Sequence, residues 1–270
     1  MGKTRRSPQR GRGTRKKRAA KWYVGTSGFM ESRQRWLTHP GLNAIEINST
    51  FYRPPSQKLV ESWNSLPEGV GVVVKLWRFI THMKFLKGVD VPLKEFVESL
   101  SPARDRIKAI LVQLPPRFVN KPENVSRIKH LGSLMRSTPY GVAVEFRNKS
   151  WLVPETYKMM ERAGMAVVGT VTRKKPDNTK WLGSMPTGSF IPPKTAPFTY
   201  TRVHGSKGYR GHYSRTELQK LHSLIAKQKA KTDFIFFNNV FFDDRKTKCK
   251  TAQTRYAAVC DAVEFSRLVS

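Results

Sequence analysis

Eight short apolar runs, separated by helix-like segments, limit what this sequence can fold into. They are WYVGTSG, NAIEINSTFY, GVGVVVKLWRFITH, IKAILVQLPP, GVAVEFR, AVVGTV, FTYTRVHG and DFIFFNN. Runs this short and rich in β-branched and aromatic residues read as strands. Several of the separators carry helix signals. SQKLVESWNSL opens at Ser56, PLKEFVESL places Pro92 in a first turn, and PETYKMMERAG stops at Gly164. SRTELQKLHSLIAKQ has Ser214 as N-cap with Glu217 three residues on, a capping box. Eight strands alternating with helices predict a single (β/α)8 TIM-type barrel over residues 21–270. A doubly wound open sheet is the alternative, but no G-x-G-x-x-G follows the first strand.

In AIEINSTFYRPPS, side chains two apart share a strand face, so if Ile45 and Ile47 are buried on one side, Glu46 and Asn48 point to the other. In a closed barrel that other side is the interior. Nearly every run ends in the same polar way: Thr26 and Ser27, Lys75, Gln113, Glu145 with Arg147, Thr170 with Thr172, Arg202 with His204, and Asn238 with Asn239. The C-terminal strand ends of a barrel converge on one mouth, where active sites of this fold are built. These residues are therefore the candidate site.

Three combinations of chemistry are open there. Glu46, Glu145 and His204 have the residue types of a divalent-metal site. Lys75, Arg147 and Arg202 share the same space, however, and three cations against two carboxylates match an anionic substrate better. In the plainest alternative, Glu145–Arg147 and Glu46–Lys75 are internal ion pairs and nothing more. His204 is the candidate acid/base group, with Glu145 or Glu46 as its partner. Asn48, Tyr52, Lys75, His82, Gln113, Arg147, Arg202, Lys207, Tyr209 and Asn238 are candidate substrate contacts. RVHGSKGYRGHYS interleaves Gly205, Gly208 and Gly211 with Lys207, Arg210 and His212 after the seventh strand, a usual place for phosphate in this fold. Trp77, Phe79 and Trp151 are expected to pack the wall. His39, His130 and His222 are expected at the surface.

The chain is strongly basic, with 50 Lys and Arg against 19 Asp and Glu and a formal charge of +31. Ten of those cations lie between Lys3 and Lys21 with no acid among them, and without them the remainder still carries +21. Residues 1–20 read as a disordered basic arm able to hold nucleic acid without selecting a sequence. A phosphorylated small molecule at the mouth is the other candidate partner. No apolar run is long enough to span a membrane and the N-terminus has no apolar h-region, so a cytoplasmic protein is expected, or a nuclear one in a eukaryote. Cys249 and Cys260 have neither zinc-finger nor redox spacing and are expected to be ordinary thiols of a reducing compartment.

The motifs VGTSGF, EINSTFYRPPS, VKLWRFITH, LVQLPPRF, VEFRNKSW, RVHG, YSRTEL and FFNN occur in the order seen in the DUF72, or YecE-like, family. The chain resembles that family from Trp22 to about Asn239. The resemblance implies a TIM-type barrel and no established activity. It places the family's recurring polar positions on Glu46, Asn48, Thr50, Tyr52, Lys75, His82, Gln113, Glu145, Arg147, Trp151, Arg202, His204, Tyr209, Tyr213 and Asn238. The chain departs in having Gly28-Phe29 in place of Gly-Trp, a shorter first helix, and a long stretch from Thr172 to Phe198. That stretch, on the mouth side, is a candidate lid.

Overall fold

Every apolar run becomes a strand. A computed structural model describes residues 20–172, 189–205, 209–244 and 247–270. The strands β1 (Lys21–Ser27), β2 (Ala44–Ile47), β3 (Gly71–Lys75), β4 (Ile107–Gln113), β5 (Gly141–Glu145), β6 (Ala166–Val171), β7 (Phe198–Val203) and β8 (Thr232–Phe237) pair in parallel in chain order. β8 pairs with β1, closing the barrel. The fold is a TIM-type barrel. The α-helices among the described residues are α1 (Arg33–Leu37), α2 (Gln57–Glu61), α3 (Asp90–Ser99), α4 (Pro122–Met135), α5 (Pro154–Ala163), α6 (Arg215–Ala226) and α7 (Ala257–Val269).

The helix boundaries follow local chemistry. Ser214 caps α6 through the Glu217 amide while the Glu217 carboxylate accepts from the Ser214 amide, which is the capping box. α5 stops at Gly164, whose φ of 68° suits a residue without Cβ. α1 is only five residues long, and Ser32 caps it. It holds its place by burying Trp36, whose indole N–H donates to Thr26 at 2.8 Å and whose ring meets Phe29 edge-on. Phe29, the departure from the family pattern, thus packs against α1.

Register sorts the strand residues into two layers. Val72, Val74, Ile110, Val112, Val142 and Val144 face the helices and belong to the larger apolar core. The alternate residues face the barrel axis. There Tyr23, Tyr200, Phe234 and Phe236 from β8, β1 and β7 meet Ala44, Ala109, Ala143 and Ala166 from the other strands. Large rings on one side and methyl groups on the other fill the interior, so it is a packed core and not a pore. Gly25 sits in this layer where β1 approaches β2 closely. A Cβ there would stand 1.6 Å from the Ala44 carbonyl oxygen.

Two expectations fail. Cys249 and Cys260 are joined in a disulfide, with a sequence separation of 11. The segment after β8 folds back on α7 and brings the two residues to a Cα–Cα distance of 5.7 Å, a proximity that their linear spacing does not encode. His39 is 6 % exposed, not a surface residue, because it forms a short contact to Glu31 beside the helix α1. His130 is exposed and bonded to Asp90, and His222 packs its ring on Trp22.

Candidate functional site

Above the aromatic layer the barrel interior turns polar. Ser27, Glu46, Lys75, Gln113, Glu145, Thr170, Arg202 and Asn238 enter from the eight strands in turn, each in register with the inward-facing set. Parallel strands in a barrel are staggered, so these residues form a tilted ring at the strand ends.

Arg202 is the hub of that ring. Its Nε and Nη2 donate to Glu46 at 3.0 and 2.8 Å, and its Nη1 donates to Glu145 at 2.9 Å. Tyr200 adds its hydroxyl to Glu46 at 2.6 Å, and Asn48 donates to the same carboxylate at 3.1 Å. Arg147 pairs with Glu145, Nε to Oε1 at 2.5 Å, and donates to Gln113 at 3.1 Å. Burial pushes both carboxyls up, but the surrounding cations and hydrogen bonds outweigh it. Glu145 is held down at about 2, chiefly by Arg147 and Arg202, and Glu46 is likewise lowered by Arg202 and Tyr200. Ser27 lies close enough to Glu46 to aid this without completing an aligned hydrogen bond. Both glutamates are therefore ionised at neutral pH. The Arg202 guanidinium is held charged by its two carboxylates despite burial.

Lys75 behaves differently. It is 9 % exposed, and among the described residues no carboxylate lies within ion-pair distance of it. Its Nζ stands 4.1 Å from the centre of the Phe51 ring, which also meets the His82 imidazole edge-on at 4.9 Å. Burial, then Arg202, lower the Lys75 amine to about 8, with Glu145 and Glu46 pulling the other way. Burial and the Lys75 charge in turn lower His82 to about 4, so it is neutral.

His204 is buried and neutral too, pushed well below its ordinary value by burial and by Arg202 and Arg147. Asn238 stands 3.3 Å from Nδ1 and donates to it in the assigned amide orientation, which places the ring proton on Nε2. That Nε2 is buried and has no hydrogen-bond partner among the described residues.

A family model described as "Protein of unknown function DUF72" matches residues 21–264. The chain belongs to the DUF72 family. The UPF0759 protein YunF of Bacillus subtilis is 26% identical over 220 residues, covering 72% of this chain and 76% of that protein. The solved structure of a DUF72 family protein from Thermotoga maritima is 26% identical with a TM-score of 0.71, covering 92% of this chain and 98% of that one. One from Enterococcus faecalis is 20% identical with a TM-score of 0.72, covering 93% and 98%.

In this DUF72 barrel, Glu46, Asn48, Lys75, His82, Gln113, Glu145, Arg147, Arg202, His204 and Asn238 do converge at the strand ends. Tyr52 and Tyr209 are 69% and 54% exposed. The Glu46–Lys75 pair does not form, because β2 opposes Glu46 to Val73, which puts Lys75 two residues further up its strand. In the loop after β7, Gly205 is wedged against the Arg210 backbone and Arg210 lies over Phe241. Lys207 and residues 173–188 of the candidate lid lie outside the described residues. The described ends of that stretch are pinned: Ser189 bonds the Thr172 backbone, and Thr195 bonds the backbone of Met165 and Val167. Trp151 is buried with its indole N–H on the Phe118 carbonyl, a packing role, and Trp77 and Phe79 stack on one another.

Two residues escape sequence reasoning. Tyr200 looks like barrel filling, yet its hydroxyl completes the Glu46 site. Asp261 sits mid-helix in α7 and binds Asn239, His212 and the Tyr213 amide, fixing the loop after β7. The available signal was an acid inside the largely apolar stretch VCDAVEF, which also holds Glu264. Among the described residues no group of three or more His, Cys, Asp or Glu side chains is arranged to hold a metal ion. The Glu46 and Glu145 oxygens face Arg202 and Arg147 instead.

Proposed function

We propose that this protein is an enzyme whose barrel mouth binds a small phosphate-bearing substrate and stabilises negative charge that develops on it during reaction. One observation carries the reading: Arg202 is engaged by two carboxylates, while Lys75, buried in the same ring, has no carboxylate of its own among the described residues. A buried cation without a counter-ion is unfavourable unless a ligand supplies one. A phosphate beside Lys75 would do so, with Arg147 nearby as a second cation. His204 would direct its Nε2–H at a substrate oxygen that gains negative charge, a donor held in place by Asn238 before the reaction begins. Glu46 and Glu145 position Arg202, and as ionised groups they do not serve as general acids near pH 7. Hydrolysis of a phosphoester or of a glycosidic bond in a sugar phosphate is the simplest reaction for such a site.

Thermal melting with inorganic phosphate and with sugar phosphates tests this. The melting temperature should rise with ligand, and Lys75→Met should remove most of the rise. Equal melting in phosphate and in chloride at matched ionic strength overturns the reading. Turnover of a responding ligand should fall at least about a hundredfold in His204→Ala.

A second reading is nucleic-acid binding through the basic surface. The groove between α4 and α5 favours it, where Lys129, Arg136, Lys158 and Arg162 outnumber Glu155. Binding to DNA or RNA should then weaken steeply with salt, and deleting residues 1–20 should flatten that dependence. An unchanged salt slope rules the arm out as a contact.

A further inference from the structure

The mouth holds an amine of a kind that neither a phosphate clamp nor an internal ion pair requires. A lysine that only holds phosphate acts as a fully charged point donor. Lys75 is on a rigid strand, nearly out of solvent, with its Nζ on an aromatic face and no carboxylate within ion-pair distance among the described residues. The groups facing it are Arg202 from β7, Glu46 from β2, Glu145 and Arg147 from the end of β5, and His82 beside Phe51. The cations among them, together with burial, favour the uncharged amine, and the two carboxylates are tied to the arginines. Desolvation next to fixed cations is how a lysine becomes a nucleophile near neutral pH.

We propose that Lys75 is the nucleophile of this mouth and forms a Schiff base with an aldehyde or ketone that also carries a phosphate. This rests on the phosphate-binding reading above, with Arg147 taking the phosphate once Lys75 loses its proton to the mouth, and it narrows the substrate to phosphorylated carbonyl compounds. In the step, the neutral Nζ adds to the carbonyl carbon and the C=O pair moves onto oxygen. A proton passes from nitrogen to that oxygen to give the carbinolamine. The oxygen then takes up the proton that the Lys75 ammonium released on becoming an amine, and leaves as water while nitrogen closes the C=N bond. One water is lost, the positive charge ends on the iminium, and no oxidant or reductant is involved. The Nε2–H of His204 is the donor in the same ring that can hold the oxygen as charge builds on it. With the Lys75 amine at about 8, about a tenth is free at pH 7, against less than about a thousandth for an exposed lysine.

Trapping tests it on the full chain. Glycolaldehyde phosphate is added with cyanoborohydride, and modified lysines are located by peptide mass spectrometry. Lys75 should be modified well ahead of exposed lysines such as Lys58 and Lys94, at a rate that climbs through about pH 8. Inorganic phosphate should slow the reaction at Lys75 alone, and Lys75→Met should abolish it while the melting curve shows the variant folded. Modification of Lys75 no faster than of Lys58 and Lys94 overturns the proposal, and the pH profile of the unaltered protein decides it even where the variant fails to fold. If phosphate still raises the melting temperature, the phosphate reading survives that failure. If uncharged glycolaldehyde traps Lys75 equally well and phosphate has no effect, the nucleophile stands and the phosphate reading falls.

Discussion

Arg202 grips Glu46 at two points, Nη2 to Oε1 at 2.8 Å and Nε to Oε2 at 3.0 Å, across 156 residues of sequence. The same guanidinium reaches Glu145 with its remaining nitrogen at 2.9 Å. One side chain thus binds carboxylates from two other strands and spans the barrel mouth.

Removing Arg202 leaves two ionised carboxylates in a buried layer. Arg202→Met should lower the unfolding free energy by about 3–5 kcal/mol in a urea titration, the size found when one member of a buried charge pair is deleted. Adding Glu46→Gln to that variant should recover part of the loss, since the uncompensated charge is then gone. A loss below about 1 kcal/mol would show that water reaches the ring.

Acid should unfold the protein through the same ring. The carboxyl of Glu145 is depressed in the folded state, from 4.5 to about 2, so its stabilisation is full above about pH 4.5 and is lost as pH falls from there toward 2. The sum over that window is about 3 kcal/mol for this one group. His204 adds to the loss from higher pH, because its folded value is also depressed and charging it below about pH 6.5 favours the unfolded chain. Glu145→Gln should be less stable than the unaltered protein at pH 7 and show a flatter acid limb between pH 4.5 and 2.

Lys75 adds a slope of the same sign at high pH. Its folded value is about 8 against 10.5, so the unfolded state binds the extra proton between those values and stability rises with pH across them. Lys75→Met should be more stable than the unaltered protein at pH 7 by about 1–3 kcal/mol, with the difference shrinking toward pH 10.5. Equal stability at both pH values would mean that the amine is solvated.

Reducing the Cys249–Cys260 disulfide opens a short closed loop, so the unfolded chain regains only modest freedom. A destabilisation of about 2–3 kcal/mol is expected. It should appear as a melting temperature lower by several degrees in dithiothreitol, with no such response in the Cys249→Ser, Cys260→Ser double variant.

Gly25→Ala should be among the most damaging single-methyl changes in the chain. The added carbon would stand 1.6 Å from the Ala44 carbonyl oxygen, where the partner atom belongs to the backbone of β2 and has little freedom to shift. A loss of about 3 kcal/mol or more is expected, or failure to yield folded protein. An alanine variant that melts with the unaltered protein would refute the close β1–β2 approach.

The barrel and the membership of its mouth were legible in the sequence because they depend on local pattern. Valine-rich runs such as GVVVK form strands, the Ser214–Glu217 box and Gly164 set helix ends, and alternation puts Glu46, Lys75, Glu145 and Arg202 on the inward face. These are one-dimensional rules, and they survive folding unchanged. What only the tertiary structure decided is which of these groups meet and what that does to their charge. Alternation does not encode the stagger between strands, and that stagger lifts Lys75 past Glu46 and brings Arg202 and Tyr200 across to it instead. The same holds for Cys249 with Cys260, Glu31 with His39 and Asp261 with Asn239, pairs made by the return path of a loop or helix. Burial then acts on those pairings, because a charge removed from water is governed by its few neighbours. The sequence therefore specifies which ionisable groups line the mouth, while the packed barrel determines that Glu46 and Glu145 are paired with Arg202 and Arg147 and that Lys75 makes no ion pair with a carboxylate among the described residues.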